Sequence, residues 1–190
     1  MDKQSRVGDF ESNTIIGKNN VVSLGTIVDK KSLSLKMSIL PDRTATSVSS
    51  CIKDMLMPIK DIVHTITFDN GKEFVNHVEI SNNLDTKIFY ADPYSFWQRA
   101  INENNNGLIR QYLSKKTNFS KITKKEIARI EFEINNRPRK KLGYKTPHEV
   151  FWNQASKVAV ISWIQLYLSN NFLTDSKGQN DLHTYLQNLL

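Results

Sequence analysis

The stretch NTIIGKNNVVSLGTIVDKKSLSLKMSIL, residues 13–40, determines the predicted fold. Its apolar residues alternate with polar ones or occur in short β-branched groups, and both patterns favour strands. The segments GKNN and DKKS, residues 17–20 and 29–32, supply turn residues between three such strands. This stretch therefore predicts a three-stranded antiparallel meander near the start of the chain.

The chain after residue 40 alternates predicted helices with short buried strands. Thr123 and Glu126 have the spacing of a capping box, which marks the start of the last of these helices. Three antiparallel strands followed by this alternation predict an α/β fold, in which a mixed central sheet is flanked by helices in ribonuclease-H-like order. The predicted helices cover residues 43–57, 72–82, 97–114 and 123–135, and the predicted short strands cover residues 66–68 and 86–92.

Length and composition are those of a soluble protein. The chain has 190 residues, one of them a cysteine, Cys51, which excludes an internal disulfide framework and suits a reducing compartment. The first ten residues contain no apolar signal region, and the apolar stretch at residues 158–168 is shorter than the roughly 20 residues of a membrane span. We therefore expect a cytoplasmic protein with no membrane partner. It also lacks a Gly-x-x-x-x-Gly-Lys phosphate loop, and we expect no small-molecule substrate.

Positive charge is concentrated in one segment. Residues 99–145 contain 13 lysines and arginines against 4 glutamates, a net charge of +9, whereas the whole chain carries +7. Such an excess is expected of a surface that binds a polyanion such as a nucleic acid. The alternative is a solvated helical surface, and charge alone does not distinguish DNA from RNA.

Asp69 is the first candidate functional residue. It follows the predicted buried strand 66–68 and begins an Asp-Asn-Gly turn. An acid at the carboxyl end of such a strand projects into the crevice where α/β sheets bind ligands. The alternative is that Asp69 only caps the next helix or forms an Asx turn.

Glu103 is the second candidate. Together with Arg99, Asn106 and Arg110 it recurs at three- or four-residue spacing, so these side chains share one face of a helix. The row is either a set of surface ion pairs or a metal-binding carboxylate between phosphate-binding arginines. Phosphoryl transfer with two divalent ions requires carboxylates from separate elements, and Asp69 and Glu103 meet that requirement.

Three motifs carry a resemblance to a known family. TFDNGKEF (residues 67–74), FYADPYSFWQRAINENNNGLIRQYLSKKT (89–117) and NNRPRKKLGYKTPHEVF (135–151) resemble the catalytic core of bacterial insertion-sequence transposases, in particular the family of insertion sequence 30. These enzymes are DDE recombinases, related in fold to retroviral integrase and ribonuclease H. The resemblance covers residues 7–152.

The resemblance implies a catalytic triad of two aspartates and a glutamate. Asp69 matches the second aspartate and Glu103 matches the glutamate. The first aspartate belongs to a pattern like Gly-x-Trp-Glu-x-Asp-Thr, and the segment from Gly8 to Thr14 has Asn13 at that position. The family's reaction is DNA cleavage and strand transfer in transposition, with two Mg²⁺ or Mn²⁺ ions expected here only if the site is functional.

Asn13 predicts impaired catalysis, because an amide supplies a neutral oxygen where the family has a carboxylate. Asp9 and Glu11 lie on the same predicted strand face as Asn13. Each step of two residues along a strand covers about 6.6 Å, so neither acid easily replaces the missing one.

The resemblance also implies DNA as the partner and leaves self-association open. We expect a catalytic core over residues 1–152, a helical tail over 153–190 that is unlike the family, and no N-terminal helix-turn-helix region. Two alternatives remain: a non-catalytic DNA-binding remnant or regulator, and a decaying fragment without a selected role. The expected DNA-binding residues are Arg99, Arg110, Lys115, Lys116, Arg137, Arg139, Lys140 and Lys141.

Overall fold

The computed structural model describes residues 6–18, 22–69, 71, 74–91 and 100–156. Five strands form one sheet in the order β3-β2-β1-β4-β5. The first three pair antiparallel, whereas β4 pairs parallel with β1 and β5 pairs parallel with β4. The predicted mixed sheet is therefore confirmed. The strands are β1 (Asp9–Ile16), β2 (Ser23–Asp29), β3 (Leu35–Leu40), β4 (Thr65–Phe68) and β5 (Lys87–Tyr90).

Four helices with defined bounds accompany the sheet. Thr123 caps α4 and Glu126 bonds back to it, so the predicted capping box is confirmed. The second helix begins later than expected, because residues 74–76 after the Asp69 turn are not yet α-helical. The described helices include none that is long and apolar enough to cross a membrane. They are α1 (Ala45–Leu56), α2 (His77–Leu84), α3 (Ala100–Tyr112) and α4 (Lys124–Asn135).

A further helix, not predicted from the sequence, is described over residues 147–156. The Thr146 hydroxyl accepts from the Glu149 N–H at 3.1 Å, and the Glu149 carboxylate accepts from the Thr146 N–H at 2.7 Å. Pro147 follows the cap at the position that helices favour for proline. The sequence signal was present as Thr-Pro-x-Glu.

The chain divides into two compact units, residues 1–154 and 155–190. All but two of the second unit's residues lie outside the described part, so the predicted tail stays a prediction.

Helices cover both faces of the sheet. Leu24 and Val28 of β2 belong to the buried cluster that includes Ile109 of α3 and Ile130 of α4. Gly25 points the opposite way, where a Cβ atom would lie 3.0 Å from the Cys51 sulfur of α1. Neighbouring strand residues face opposite sides, so α1 and the pair α3 and α4 enclose the sheet between them. Cys51 is buried.

Side chains of α4 cover the free edge of β3. The Asn135 side chain accepts from the Leu35 N–H at 2.8 Å and donates to the Leu35 carbonyl at 2.7 Å. The Glu131 carboxylate accepts from the Met37 N–H at 2.7 Å. Unpaired edge groups are templates for pairing with another chain, and these contacts satisfy them within the molecule.

Asn135→Ala is therefore expected to lower the free energy of unfolding by about 2–4 kcal/mol, because both buried backbone groups of Leu35 lose their partner. Urea denaturation monitored by circular dichroism measures this loss. Asn136→Ala is the matched control, since Asn136 is exposed and its side chain donates to the Phe132 carbonyl of its own helix. Equal losses in the two variants would show that the edge contacts do not contribute.

Candidate functional site

The pairing of β1 with β4 aligns the candidate residues of both strands. Asp9 pairs with Thr65 and Glu11 pairs with Thr67 in parallel register. Continued for two more residues, past the end of β4 at Phe68, this register would bring Asn13 level with Asp69, at the spacing of about 4.8 Å that separates paired strands. The carboxyl ends of parallel strands are the edge at which α/β sheets bind ligands. The described pairing ends at Glu11 and Thr67, and we expect continuation of its register to make Asn13 and Asp69 neighbours at that edge.

Asn13 is half-buried and has local hydrogen bonds. Its side-chain oxygen accepts from the Thr14 N–H at 2.8 Å, and its backbone carbonyl accepts from the Thr26 hydroxyl at 3.2 Å. An aspartate at this position would present a second oxygen and a negative charge in place of the amide nitrogen.

Asp69 forms the turn that the sequence left as an alternative reading. One carboxylate oxygen accepts from the Gly71 N–H at 3.0 Å, which is an Asx turn. Phe68 stacks on Phe74, with ring centroids 4.5 Å apart. The Tyr90 hydroxyl donates to the Phe74 carbonyl at 3.0 Å. These contacts stabilise the residues on both sides of the turn. The Asx turn is the alternative that the sequence left open for Asp69, and its ligand role stays a prediction.

Glu103 lies in the first turn of α3 and is exposed. The helix is fixed by Ile101 and Ile109, which are buried in the core, and it packs against β1. Glu103 is thus carried by a helix that rests on the strand containing Asn13.

The described residues fit a two-ion centre poorly. No group of three histidines, cysteines, aspartates or glutamates among residues 6–18, 22–69, 71, 74–91 and 100–156 is placed to hold a metal ion. Asn13, Asp69 and Glu103 together offer two carboxylates and one neutral amide. Divalent ions prefer anionic oxygen ligands, so this set supplies one negative charge less than the family's triad.

Asp9 is engaged at the start of β1. Its carboxylate accepts two bonds from Arg6, at 3.1 and 3.2 Å, and one from the Thr65 hydroxyl at 2.8 Å. Partial burial opposes ionisation, but the hydrogen bonds from Arg6 and Thr65 outweigh it and lower the pKa of Asp9. Because its carboxylate is bonded to Arg6 and Thr65, Asp9 is not placed to replace the carboxylate that is missing at position 13.

Glu11 is a buried acid whose environment the sequence did not reveal. It is 4% exposed, and its nearest cation, the Lys30 ammonium, lies 4.0 Å away and also donates to the Thr67 hydroxyl. Burial raises the pKa of Glu11 to about 7, against the opposing effects of Lys30, the Asn102 N–H and Lys141. Its Oε2 atom accepts no hydrogen bond of standard geometry from the described residues. The Glu11 side chain of β1 therefore lies against the first turn of α3.

Two of the predicted DNA-binding arginines are half-buried and donate hydrogen bonds to backbone carbonyls. Arg110 donates to the carbonyls of Ile16 at 2.8 Å and Ser114 at 3.2 Å, and Arg139 donates to that of Ile134 at 3.0 Å. Arg99 lies outside the described residues. The remaining candidates are exposed, as contact with DNA requires: Lys115, Lys116, Arg137, Lys140 and Lys141.

Comparison with known sequences finds transposases. No family model matches the chain. The transposase of insertion sequence element IS4351 from Bacteroides fragilis is 45% identical over 151 residues, covering 80% of this chain and 46% of the transposase. The transposase of insertion sequence element IS30A from Escherichia coli is 35% identical over 151 residues, covering 79% of this chain and 39% of that protein. The chain thus spans less than half the length of these relatives.

Comparison with solved structures finds integrase cores. The catalytic core domain of BIV integrase has a TM-score of 0.65 at 16% identity, covering 80% of this chain and 98% of that domain. A chain of the simian T-cell lymphotropic virus intasome has a TM-score of 0.62 at 17% identity, covering 80% of this chain and 56% of its own length. The resemblance to insertion-sequence transposases and the ribonuclease-H-like fold of an integrase core are both confirmed.

The buried Glu11 predicts a pH dependence of stability. Its pKa is raised from 4.5 to about 7 in the folded protein, so the folded state holds this proton more tightly than the unfolded chain. The resulting stabilisation is complete below the unfolded pKa and is lost as the pH rises through about 7. Between about pH 5 and pH 8 the unmodified protein should lose up to about 3 kcal/mol relative to Glu11→Gln, which carries no such proton.

Urea denaturation across this pH range checks the prediction. Glu79→Gln is the control for removing an acid from the surface, because Glu79 is exposed on α2. Parallel pH profiles for the unmodified protein and Glu11→Gln would contradict the assignment of the buried proton to Glu11.

Proposed function

We propose that this chain, which resembles insertion-sequence transposases and has the fold of an integrase catalytic core, is the DNA-handling core of a DDE transposase whose strand-cleavage step is impaired. The parallel pairing of β1 with β4 is the observation that carries the proposal, because the register at Glu11 and Thr67, continued for two residues, leads to Asn13 and Asp69. It supports the assignment of position 13 to the family's first aspartate independently of the sequence motif.

The expected cost of the amide follows from charge. Mg²⁺ or Mn²⁺, when bound, would supply an activated hydroxyl and stabilise the leaving oxygen of the DNA strand. Asp69 and Glu103 are the proposed ligands, and Asn13 leaves the ligand set one negative charge short of the family's triad. Each 1.36 kcal/mol of lost transition-state stabilisation lowers the rate about tenfold, and the loss of a ligand charge is expected to cost several kcal/mol.

DNA is the proposed partner because of the exposed cations. Lys115 and Lys116 follow α3, and Arg137, Lys140 and Lys141 follow α4, within the segment of net charge +9. Phosphate contacts of this kind supply sequence-independent affinity that falls steeply with salt. Arg110 and Arg139 are proposed to support this surface through their carbonyl contacts. A cytoplasmic location accompanies this proposal.

A non-catalytic DNA-binding module is the second candidate function. The same exposed cations favour it, because phosphate binding does not require an intact triad. It differs from the first candidate in one respect: restoring the carboxylate at position 13 would not produce cleavage.

Asn13→Asp is therefore expected to gain Mn²⁺- or Mg²⁺-dependent nicking of supercoiled plasmid, by at least about a hundredfold over the unmodified protein. The restored carboxylate completes the proposed ligand set beside Asp69. Agarose gel electrophoresis of the nicked product measures the rate. Asn13→Asp combined with Glu103→Gln is the matched control and should fall back to background.

Cleavage by the unmodified protein that disappears in Glu103→Gln would contradict impairment. No cleavage by any form, together with DNA affinity that falls steeply with salt, would favour the non-catalytic module. No cleavage and negligible DNA binding would overturn both candidates and favour a fragment without a selected role.

A further inference from the structure

The segment from Arg139 to Lys145 forms a closed loop after α4. The Arg139 carbonyl accepts from the N–H groups of Leu142 at 3.0 Å and Tyr144 at 2.9 Å. The Arg139 N–H in turn donates to the Lys145 carbonyl at 3.0 Å, so the two ends of the loop are bonded to each other. This network fixes the backbone of the loop without a large buried side chain, since residues 140–145 are exposed or only half-buried.

The tip of this loop holds a tyrosine in an unusual conformation. Gly143 has a φ of 62° and Tyr144 a φ of 65°, so two successive residues are left-handed. Glycine adopts this region without cost, whereas a bulky residue there is strained and usually marks a constraint other than stability. Tyr144 is also 72% exposed, so packing in the core does not explain the aromatic side chain.

The surroundings of Tyr144 are cationic. Lys140, Lys141 and Lys145 are exposed on the same loop. Leu142 of the same loop packs against the buried cluster that includes Ile15 of β1 and Ile101 in the first turn of α3, which locates the loop beside these two elements. The loop therefore borders the candidate site and presents an aromatic ring among charges that attract phosphates.

We propose that Tyr144 stacks on an unpaired base next to the end of a DNA strand, while Lys140 and Lys145 contact the flanking phosphates. The inference rests on the proposed DNA-handling function and adds a specific contact to it. An aromatic face with adjacent cations is the combination that binds single-stranded nucleic acid, because every base has a face on which a ring can stack.

The chemistry favours an unpaired base over a paired one. In a duplex both faces of each internal base are already stacked, and removing a base from the stack costs a few kcal/mol. A ring fixed at the tip of a bonded loop gains most from a base that is already free, such as one in a frayed end or a 3′ overhang. Stacking releases few counterions, so its contribution should depend little on salt.

Fluorescence anisotropy with two labelled probes tests the contact, using the full chain. One probe is a blunt DNA duplex, and the other is the same duplex with a single-stranded 3′ overhang. The unmodified protein should bind the overhang probe more tightly, and Tyr144→Ala should lose roughly 5- to 100-fold of that affinity with an unchanged salt slope. Tyr144→Phe keeps the ring and should keep the affinity.

The controls separate this contact from general DNA binding. Phe132→Ala removes a second exposed aromatic, 67% exposed on α4, and should change neither probe's affinity. Tyr144→Asn removes the ring but tolerates a left-handed backbone, so it repeats the test if Tyr144→Ala unfolds. Equal affinity of the unmodified protein and Tyr144→Ala for the overhang probe would overturn the stacking contact alone. Failure of the unmodified protein to bind either probe would overturn the proposed function and this contact with it.

Discussion

The position of β1 between an antiparallel and a parallel neighbour is the constraint on which the site depends. Its antiparallel pairing with β2 continues the meander, and its parallel pairing with β4 brings two strand ends to one edge of the sheet. A shift of this register by one residue would turn Glu11 and Asn13 to the opposite face. The register therefore fixes which side chains of β1 face α3.

The buried polar groups near β1 reinforce that register. The Asp29 carboxylate is fully buried and accepts from the Gly8 N–H at 2.7 Å and from the N–H and hydroxyl of Ser32 at 2.7 and 2.6 Å. These bonds tie the start of β1 to the turn between β2 and β3. Burial raises the pKa of Asp29, and the same effect on Glu11 shows that the sheet accommodates poorly solvated acids on both sides of the strand pair. Well-bonded groups such as Asp29 specify a structure, whereas the incompletely bonded Glu11 lowers its stability at high pH.

Much of this architecture could be predicted because local patterns agree with the fold. The alternation in residues 13–40 gave the meander, and Thr123 with Glu126 gave the start of α4. The Asp-Asn-Gly sequence correctly predicted that β4 ends directly before Asp69. Other features depend on contacts distant in sequence, which no local pattern encodes. The Ile16 carbonyl engages Arg110 across 94 residues, and the edge of β3 binds Asn135 across 100 residues. The helix after Thr146 was overlooked although its capping signal was present.

We propose that position 13 and Asp69 belong to one ligand set, in which Asn13 lacks the carboxylate. Isothermal titration calorimetry of Mn²⁺ binding tests it most directly, because it does not require catalysis or the correct DNA sequence. We expect Asn13→Asp to bind Mn²⁺ at least about tenfold more tightly than the unmodified protein, and we expect the addition of Asp69→Asn to remove this gain. Equal Mn²⁺ affinity in the unmodified protein and Asn13→Asp, or a gain that survives the loss of the Asp69 carboxylate, would contradict it.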